Sequence, residues 1–437
     1  MYSQLMHRGI FFCDRRYSMK NSGVKRWIGI LLVACLAAVA LPQTTQAAEA
    51  YNLWIGGVQV TSGNKDAITA AINTVKPNTA SGTATFDPVT NTLTLSDFHY
   101  AGSGYTFQTF DGEPAEAALY SGLATLQITA INTNSLSHTT LNDHTYGIYT
   151  AGGLVITNDS SGSLTVSSCT ATKRSIGVFV YGRYFTVHSG SVFAQSAAAA
   201  NISTGVWCSD GNITVHAAGE LTGRGADSNI TRGVCASRKL AVDGGTVKGN
   251  SGSGNSISHG ISAGSLESSS GKSQVIGTAF SANESAGIKL WNDSVFSSGY
   301  VKGESLAGVY ESSHGIMIES KLTINSGTMI AQGTSGAFSK APKIDPSCSG
   351  ARVWYGDNEA AADASVGKTA GDIAANYIQK YVRIVCANSS AGAPGNSSTE
   401  IPETGDSSRI GLWIGMMTVS ALGLAATAGT RRRERAN

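Results

Sequence analysis

The chain has 437 residues, of which 41% are hydrophobic and 14% are charged, and its formal net charge at pH 7 is +2. The excess of basic residues lies at the two ends, because residues 51–404 carry 20 Lys and Arg against 25 Asp and Glu, a net charge of −5. Nucleic-acid binding requires a concentrated basic face. The composition therefore excludes a nucleic-acid partner.

The first 50 residues have the order of a secretory signal peptide. Basic residues between Arg15 and Arg26 precede an apolar run at 27–41, and small residues follow at 47–50. This order is typical of a cleaved signal peptide rather than of a membrane span. We therefore expect residues 1–50 to be removed and the mature protein to be secreted.

Residues 51–136 are predicted to form an N-terminal cap and an irregular first coil. Within them, an Asp87-Pro88 turn lies between two strand-like runs in residues 85–95, which predicts a β-hairpin. Residues 123–131 resemble an irregular copy of the repeat that follows. A cap is expected because the open end of a stack of strands exposes unpaired backbone groups.

A repeat of 27 to 30 residues occupies the middle of the chain. A Gly followed by Ile or Val recurs at Gly147, Gly177, Gly205, Gly233, Gly260, Gly287 and Gly315. An apolar-x-apolar triplet follows most of these glycines, as in residues 213–215, and a later Gly opens a third alternating run, as in residues 245–249. Each unit is thus predicted to contain three short strands separated by turns.

These units predict an all-β fold, a right-handed parallel β-helix over residues 137–340. A single coil cannot bury its apolar side alone, whereas stacked coils bury a continuous column of Val, Ile and Leu. A β-sandwich does not explain a fixed period near 28 residues, and the absence of a 3.6-residue period excludes helical solenoids. The recurring glycines are expected to supply the positive φ values of tight turns.

Residues 341–386 are predicted to cap the other end of the β-helix. Runs at 353–356 and 381–384 resemble closing strands, and the Ala-rich stretch 359–378 is consistent with a short helix. The five cysteines of residues 51–404 show no zinc-ligand spacing. A disulfide between Cys348 and Cys386 is one pairing that the extracellular location permits, and buried packing is expected for Cys208 and Cys235.

The C-terminal segment has the order of a cell-wall sorting signal. Residues 387–400 are rich in Ser, Gly, Asn, Ala and Pro and are predicted to be a flexible linker. They precede Ile401, Pro402, Glu403, Thr404 and Gly405, an apolar run at 410–428 and a basic tail. Residues 401–437 resemble the LPXTG-type sorting signal of Gram-positive surface proteins, with Ile401 where Leu is usual.

The sorting-signal resemblance implies that a sortase cleaves between Thr404 and Gly405 and joins Thr404 to peptidoglycan. These five residues would then be a substrate of the sortase, and the protein would be anchored to the cell wall. An ordinary transmembrane helix is the alternative reading of the same apolar segment.

The segment 53–61, the hairpin run and the Gly-Ile coils together resemble β-helical carbohydrate-binding surface proteins of Gram-positive bacteria, some of them in the calcium-dependent pectin-binding group. The resemblance covers roughly residues 51–384 and implies a parallel β-helix. No run of Asp residues matches a calcium-ligand motif. We therefore expect no cofactor, and calcium dependence stays open.

The leading functional hypothesis is a glycan-binding adhesin whose ligand is a polysaccharide or a host glycan. The candidate stacking platforms are the aromatic residues that follow the Gly-Ile corners, namely Tyr181, Tyr184, Trp207 and Trp291. Tyr181 and Trp291 both lie four residues after their glycine, which places them on the same side of different coils. The alternative is that these rings only cover neighbouring side chains.

Two other patterns allow a structural interpretation. His188, His216, Asp243 and Asn325 each follow the middle strand of a unit and should stack at one corner, either as a ligand or cation row or as turn-forming side chains. Asp210 and Arg238 both lie five residues after their glycine and are expected to form a surface ion pair.

Two further functions compete with the adhesin hypothesis. A polysaccharide lyase or hydrolase needs clustered acidic groups, but Asp and Glu are scattered in the repeat, so we expect no enzyme and assign no catalytic residue. A passive surface scaffold agrees with the low charged content and the many Ser, Thr, Asn and Gly residues. The fold alone does not decide between these functions.

Overall fold

The computed structural model of the chain describes residues 47–386 except 76, 110, 160–161, 307–311, 349 and 364–366. Most of the predicted signal peptide, the linker and the sorting signal therefore lie outside the described residues. The described part is almost entirely β-structure and forms a parallel β-helix of about eight turns spaced by about 28 residues. The predicted fold class is confirmed.

The N-terminal segment covers the first coil. Its elements are β1 (Ala50–Ile55), β2 (Val58–Thr61), α1 (Ile68–Asn73), β3 (Thr79–Asp87), β4 (Thr92–Gly102) and β5 (Tyr105–Gln108). Strands β3 and β4 pair antiparallel, which confirms the predicted hairpin. Asp87 stabilises the turn, because its carboxylate accepts the backbone N–H of Val89 at 3.0 Å and the hydroxyl of Thr90 at 2.7 Å.

The coils of the β-helix follow this N-terminal segment. Their strands are β6 (Pro114–Ser121), β7 (Thr125–Ile131), β8 (Thr133–His138), β9 (Asn142–Thr150), β10 (Gly153–Thr157), β11 (Ser163–Ser167), β12 (Ala171–Val180), β13 (Tyr184–Gln195), β14 (Ile202–Cys208), β15 (Asn212–Arg224), β16 (Ser228–Asp243), β17 (Thr246–Asn250), β18 (Gly254–Ser268), β19 (Gln274–Ala279), β20 (Glu284–Leu290), β21 (Ser294–Phe296), β22 (Tyr300–Ser305), β23 (Ser312–Ile318), β24 (Leu322–Ile324), β25 (Gly327–Gln332), β26 (Gly336–Phe338) and β27 (Lys343–Ile344).

The strands stack into three parallel sheets. Sheet 1 contains β6, β9, β12, β14, β16, β18, β20, β23 and β26. Sheet 2 begins with β4 and β7 and ends with β24 and β27, and sheet 3 runs from β8 and β11 through β17, β19 and β22 to β25. The long strands β13 and β15 bend from sheet 2 into sheet 3, and β16 and β18 bend from sheet 1 into sheet 2.

The interior of the helix is filled by aliphatic residues from matching positions of successive coils. The Ile and Val that follow the recurring glycines form one such column, which includes Ile148, Val178, Val206 and Val234, all with no exposed surface. Alternate residues along each strand point inward. Stacking therefore converts a short apolar pattern into one continuous core.

Close packing rather than turn geometry explains the glycines that precede Ile or Val, which corrects part of the sequence interpretation. None of them has a positive φ; positive values occur instead at Gly190, Gly244, Gly299 and Gly327, near the start of the sheet 3 strands. A Cβ on Gly260 would lie 2.3 Å from the backbone nitrogen of Thr278, in the facing strand of the same coil. The narrow corner has no room for a side chain.

The C-terminal segment closes the far end. Its elements are β28 (Arg352–Gly356), α2 (Glu359–Asp363), β29 (Lys368–Thr369), a 3-10 turn (Ala370–Asp372), α3 (Ile373–Asn376) and β30 (Tyr381–Cys386). Strand β30 pairs antiparallel with both β25 and β28, and a disulfide joins Cys348 to Cys386. The closing strands and the short helix are thus present. In the described ranges, no helix has the length and apolar character needed to cross a membrane.

Candidate groove for an extended ligand

A groove of about 880 Å³ runs along four consecutive coils at the corner where sheet 3 ends. Its floor and walls include Phe193, Gln195, Arg224, Asp227, Asn250, Thr278 and Phe280. None of these residues was singled out from the sequence. We refer to this feature as the groove.

The floor of the groove is a ladder of side chains at one repeated position. Gln195 of β13 is in register with Arg224 of β15, which is in register with Asn250 of β17 and then with Thr278 of β19. Parallel neighbours in a sheet are about 4.8 Å apart. The groove therefore presents one polar side chain per step at a regular spacing, which is close to the length of one sugar residue in an extended polysaccharide.

Aromatic rings lie toward the two ends of this ladder. Phe193 precedes Gln195 by two residues in the first coil, and Phe280 follows Thr278 by two residues in the fourth, with 43% of its surface exposed. Three coil steps separate the two positions, which corresponds to about 14 Å along the axis. A sugar ring has apolar C–H faces and a rim of hydroxyl groups, so aromatic faces combined with amides and hydroxyls are the groups that bind it.

The backbone of the groove is already hydrogen-bonded between coils. The N–H of Ser196 donates to the carbonyl of Arg224 at 3.0 Å, that of Gly225 donates to Asn250 at 2.8 Å, and that of Ser251 donates to Thr278 at 3.0 Å. These bonds fix the corner of each coil relative to the next. Side chains, rather than the backbone, must therefore provide the contacts to any ligand.

A column of buried hydroxyl groups holds the wall of the groove. Ser203, Thr231 and Ser258 are fully buried and accept the backbone N–H groups of Ala226 at 2.8 Å, Gly252 at 3.0 Å and Phe280 at 3.1 Å, respectively. The sequence contains a signal for this column that was not among the predicted features. The residue two positions before each recurring glycine is Ser or Thr in all seven units.

The groove carries two charged side chains in its described lining. Arg224 is exposed and forms no ion pair with a described residue, and one carboxylate oxygen of Asp227 accepts the N–H of Ser253 at 2.8 Å. In contrast, Lys248, which is also on sheet 3, is paired with Glu220 at 2.8 Å. Arg224 is therefore a donor available to a ligand.

The four predicted aromatic platforms lie outside the groove and do not form one site. Tyr181 and Trp207 line a separate pocket. The ring of Tyr184 covers Gly153, and its hydroxyl is hydrogen-bonded to Thr125 at 2.8 Å, so this residue has a packing role. Tyr181 and Trp291 each directly follow a sheet 1 strand, which confirms that they share a side of different coils.

Trp291 lies on a charged network near the C-terminal end. It is 46% exposed, and the ammonium group of Lys289 lies 4.5 Å from its ring centroid. Lys289 is buried and pairs with Glu319 and, at 3.5 Å, with Glu284. A hydrogen bond from His259, followed by the charges of His259 and Lys289, lowers the pKa of Glu284 to about 2 against the opposing effect of burial.

The predicted polar ladder is present over three coils. The rings of His188 and His216 stack with centroids 4.7 Å apart. His216 is in register with Asp243, and its Nδ1 lies 3.9 Å from a carboxylate oxygen of Asp243. Burial, and then the neighbouring His216, lowers the pKa of His188. Asn325 follows β24, several coils further along. The predicted surface pair of Arg238 and Asp210 is confirmed at 2.9 Å.

Cys208 and Cys235 are free thiols within the packed coils. Cys208 and Cys235 are buried as expected, and burial raises the pKa of the Cys208 thiol to about 12. Within the described ranges, no group of three or more His, Cys, Asp and Glu side chains is arranged to hold a metal ion. No family model, curated protein or solved structure matches the chain.

Proposed function

We propose that the protein is a cell-wall-anchored surface adhesin that binds the interior of an extended polysaccharide chain in the groove. The observation that carries this proposal is the register of Gln195, Arg224, Asn250 and Thr278 on four successive coils, between the rings of Phe193 and Phe280. A repeating ligand matches a repeating surface, because each coil offers equivalent contacts to one step of the chain.

The composition of the groove favours binding over bond cleavage. Glycoside hydrolysis commonly uses two carboxyl groups on opposite sides of the scissile bond. Among the described residues that line the groove, Asp227 alone has a carboxylate, and one of its oxygens is engaged by Ser253. A ligand that lies along this ladder meets amides, hydroxyls and one guanidinium group, which are suited to recognition.

Attachment to the wall is the second part of the proposal. It depends on the resemblance of residues 401–437 to a sorting signal, with sortase acting at Thr404 and peptidoglycan as the acceptor. The N-terminal signal sequence supports secretion, and the stacked coils would then present the groove outside the cell. Because the sequence resembles calcium-dependent β-helix proteins, calcium is a variable in the binding assay.

The test is a glycan-array and titration assay with the purified chain, run with calcium and with a chelator. We expect saturable binding to at least one polysaccharide, and Phe280→Ala should weaken it about tenfold or more, since a stacking ring contributes roughly 1–3 kcal/mol in comparable ring–ring contacts. Trp291→Ala is the matched control, because Trp291 is equally exposed but lies outside the groove.

The controls separate the alternatives. Binding that is lost in Trp291→Ala but unchanged in Phe280→Ala would place the site on the Trp291 surface and contradict the groove. Absence of binding to plant, mucin and wall polysaccharides under both calcium conditions would favour the scaffold hypothesis. Release of shorter products from a bound polysaccharide would instead favour an enzyme.

A further inference from the structure

A column of aromatic side chains lies on the outer side of sheet 1, separate from the aliphatic core. Tyr120, Tyr149, Phe179 and Trp207 occupy the same position in consecutive coils. Their ring centroids are 5.3 to 5.5 Å apart from one coil to the next. Outer positions of a β-helix are normally solvated, so a continuous aromatic column there requires an explanation.

Strand β5 covers only the first part of this column. Phe107 contacts the rings of Tyr120 at 4.7 Å and Tyr149 at 4.5 Å. Beyond the end of β5, the column borders a pocket of about 150 Å³, to which Tyr149, Phe179 and Trp207 contribute aromatic walls. A cavity of about this volume holds one six-membered ring. The pocket is therefore sized for a single ring and not for a chain.

A charged pair lines the mouth of the pocket and can form hydrogen bonds with a ligand. Arg174 and Asp111 line it and are paired at a long distance of 3.4 Å, with 33% and 55% of their side chains exposed. The weak pairing leaves N–H donors and carboxylate oxygens available to a ligand. Burial raises the pKa of Tyr149 to about 12.

The indole N–H of Trp207 is buried within the column and has no hydrogen-bond acceptor among the described residues. A buried N–H without an acceptor is costly, at about 1–3 kcal/mol. Because this nitrogen has almost no exposed surface, an occupant of the open pocket meets the ring of Trp207 and not its N–H.

We infer that the pocket is a second carbohydrate site that accepts one terminal sugar ring. A quaternary ammonium group also suits aromatic walls, but its methyl groups accept no hydrogen bond from Arg174. A purely apolar ring would leave both Arg174 and Asp111 without a function. A sugar ring uses the aromatic walls with its C–H face and the Arg–Asp pair with its hydroxyls.

This inference rests on the proposed carbohydrate-binding function but concerns a different part of the ligand. The groove is extended along four coils and fits the interior of a chain, whereas the pocket fits an end. A protein with both sites would hold one glycan by its side and another by its terminus. Binding at two linked sites raises the apparent affinity of a surface for a multivalent partner.

The test is titration of the full chain with methyl glycosides of glucose, galactose, mannose and N-acetylglucosamine, followed by saturation-transfer NMR and calorimetry, with choline as a separate arm. We expect saturable binding of at least one methyl glycoside, and Arg174→Ala should weaken it about tenfold. Trp207→Phe keeps an aromatic ring in the wall and should retain most of the binding.

A matched control makes the outcome specific. Arg238→Ala removes the equivalent member of the exposed Arg238–Asp210 pair and should leave methyl glycoside binding unchanged. Absence of methyl glycoside binding, equal loss in Arg238→Ala, or binding of choline instead would overturn the inference. If methyl glycosides bind at the pocket while no polysaccharide depends on Phe280, the groove proposal fails and the pocket inference stands.

Discussion

Single buried hydroxyl groups determine the shape of the groove. Ser258 accepts the N–H of Phe280 at 3.1 Å, donates to the carbonyl of Gly252 at 2.9 Å and contacts the hydroxyl of Ser251 at 2.8 Å. One small side chain therefore links two successive corners of the β-helix. The position of the Phe280 ring depends on it.

Replacement of Ser258 by Ala should destabilise the protein at the wall of the groove. The change removes the acceptor of the partly buried N–H of Phe280 and the donor to the carbonyl of Gly252, at an expected cost of about 1–3 kcal/mol in the free energy of unfolding. Urea unfolding followed by circular dichroism measures this cost. Ser237→Ala is the control, because Ser237 is exposed and substitutions at such sites usually change stability by less than about 0.5 kcal/mol. An equal effect of both substitutions would contradict the role assigned to Ser258.

Some residue roles were accessible from the sequence and others were not. The spacing of Asp210 and Arg238 from their glycines was sufficient to predict their ion pair, since equal offsets in a repeat place residues next to each other. The groove aromatics were missed because Phe193 and Phe280 have different offsets from their glycines. Both line one groove because Phe280 lies in the bend that carries the chain from sheet 3 back to sheet 1, whereas Phe193 lies within a sheet 3 strand.

The strands of the coils form where the local sequence pattern predicts them. Three strands per unit were predicted from the apolar triplets, and the three sheets are present. The predicted breaks between strands are partly absent, since β13 runs through Gly190 with a positive φ of 68° and joins two sheets. A glycine in this conformation bends a strand without ending its ladder of hydrogen bonds.

Replacement of Gly249 by Ala should disrupt one corner of the β-helix. The new Cβ would lie 2.2 Å from the carbonyl oxygen of Gly260, which is backbone and cannot rotate away. We expect a loss of about 1–3 kcal/mol in stability, as for other overpacked sites, measured by thermal or urea unfolding. Gly271→Ala is the matched control, because its Cβ would meet only the Ser298 hydroxyl at 3.5 Å. Similar stability of the two variants would show that the corner tolerates a methyl group.

The molecule as a whole depends on closure at both ends. A stack of coils is stabilised mainly by contacts between neighbours, and its terminal strands would otherwise expose unpaired backbone. Strand β1 pairs antiparallel with β6, the first strand of sheet 1, and β30 pairs antiparallel with β25, the last strand of sheet 3. The disulfide between Cys348 and Cys386 ties β30 to the segment that precedes β28 across 38 residues.

Removal of this disulfide should lower the stability of the C-terminal end. The loop of 38 residues corresponds to a loss of up to about 4 kcal/mol in the chain-entropy model. The unfolding midpoint of the full chain should fall by the same amount in the Cys386→Ser variant as in the unmodified chain with reductant. Cys169→Ser is the control and should leave the midpoint unchanged. A shift caused by reductant in Cys386→Ser as well would indicate that another pair of thiols is responsible.

The periodic features of this protein were predictable without the structure. Equal spacing along the chain places residues at equal positions in neighbouring coils, so the period of about 28 residues was sufficient for the fold, the aliphatic core and the contacts between coils. The closing strands and the Asp87 turn also followed from local patterns.

The two spaces that could hold a ligand were not predictable from the local sequence pattern. The groove lies beside sheet 3, between the protruding corners of four coils. The pocket lies where β5 no longer covers the aromatic column. Both are spaces between segments that are distant along the chain. A periodic pattern specifies what repeats, whereas a binding site is formed where the repeat is bent, covered or interrupted.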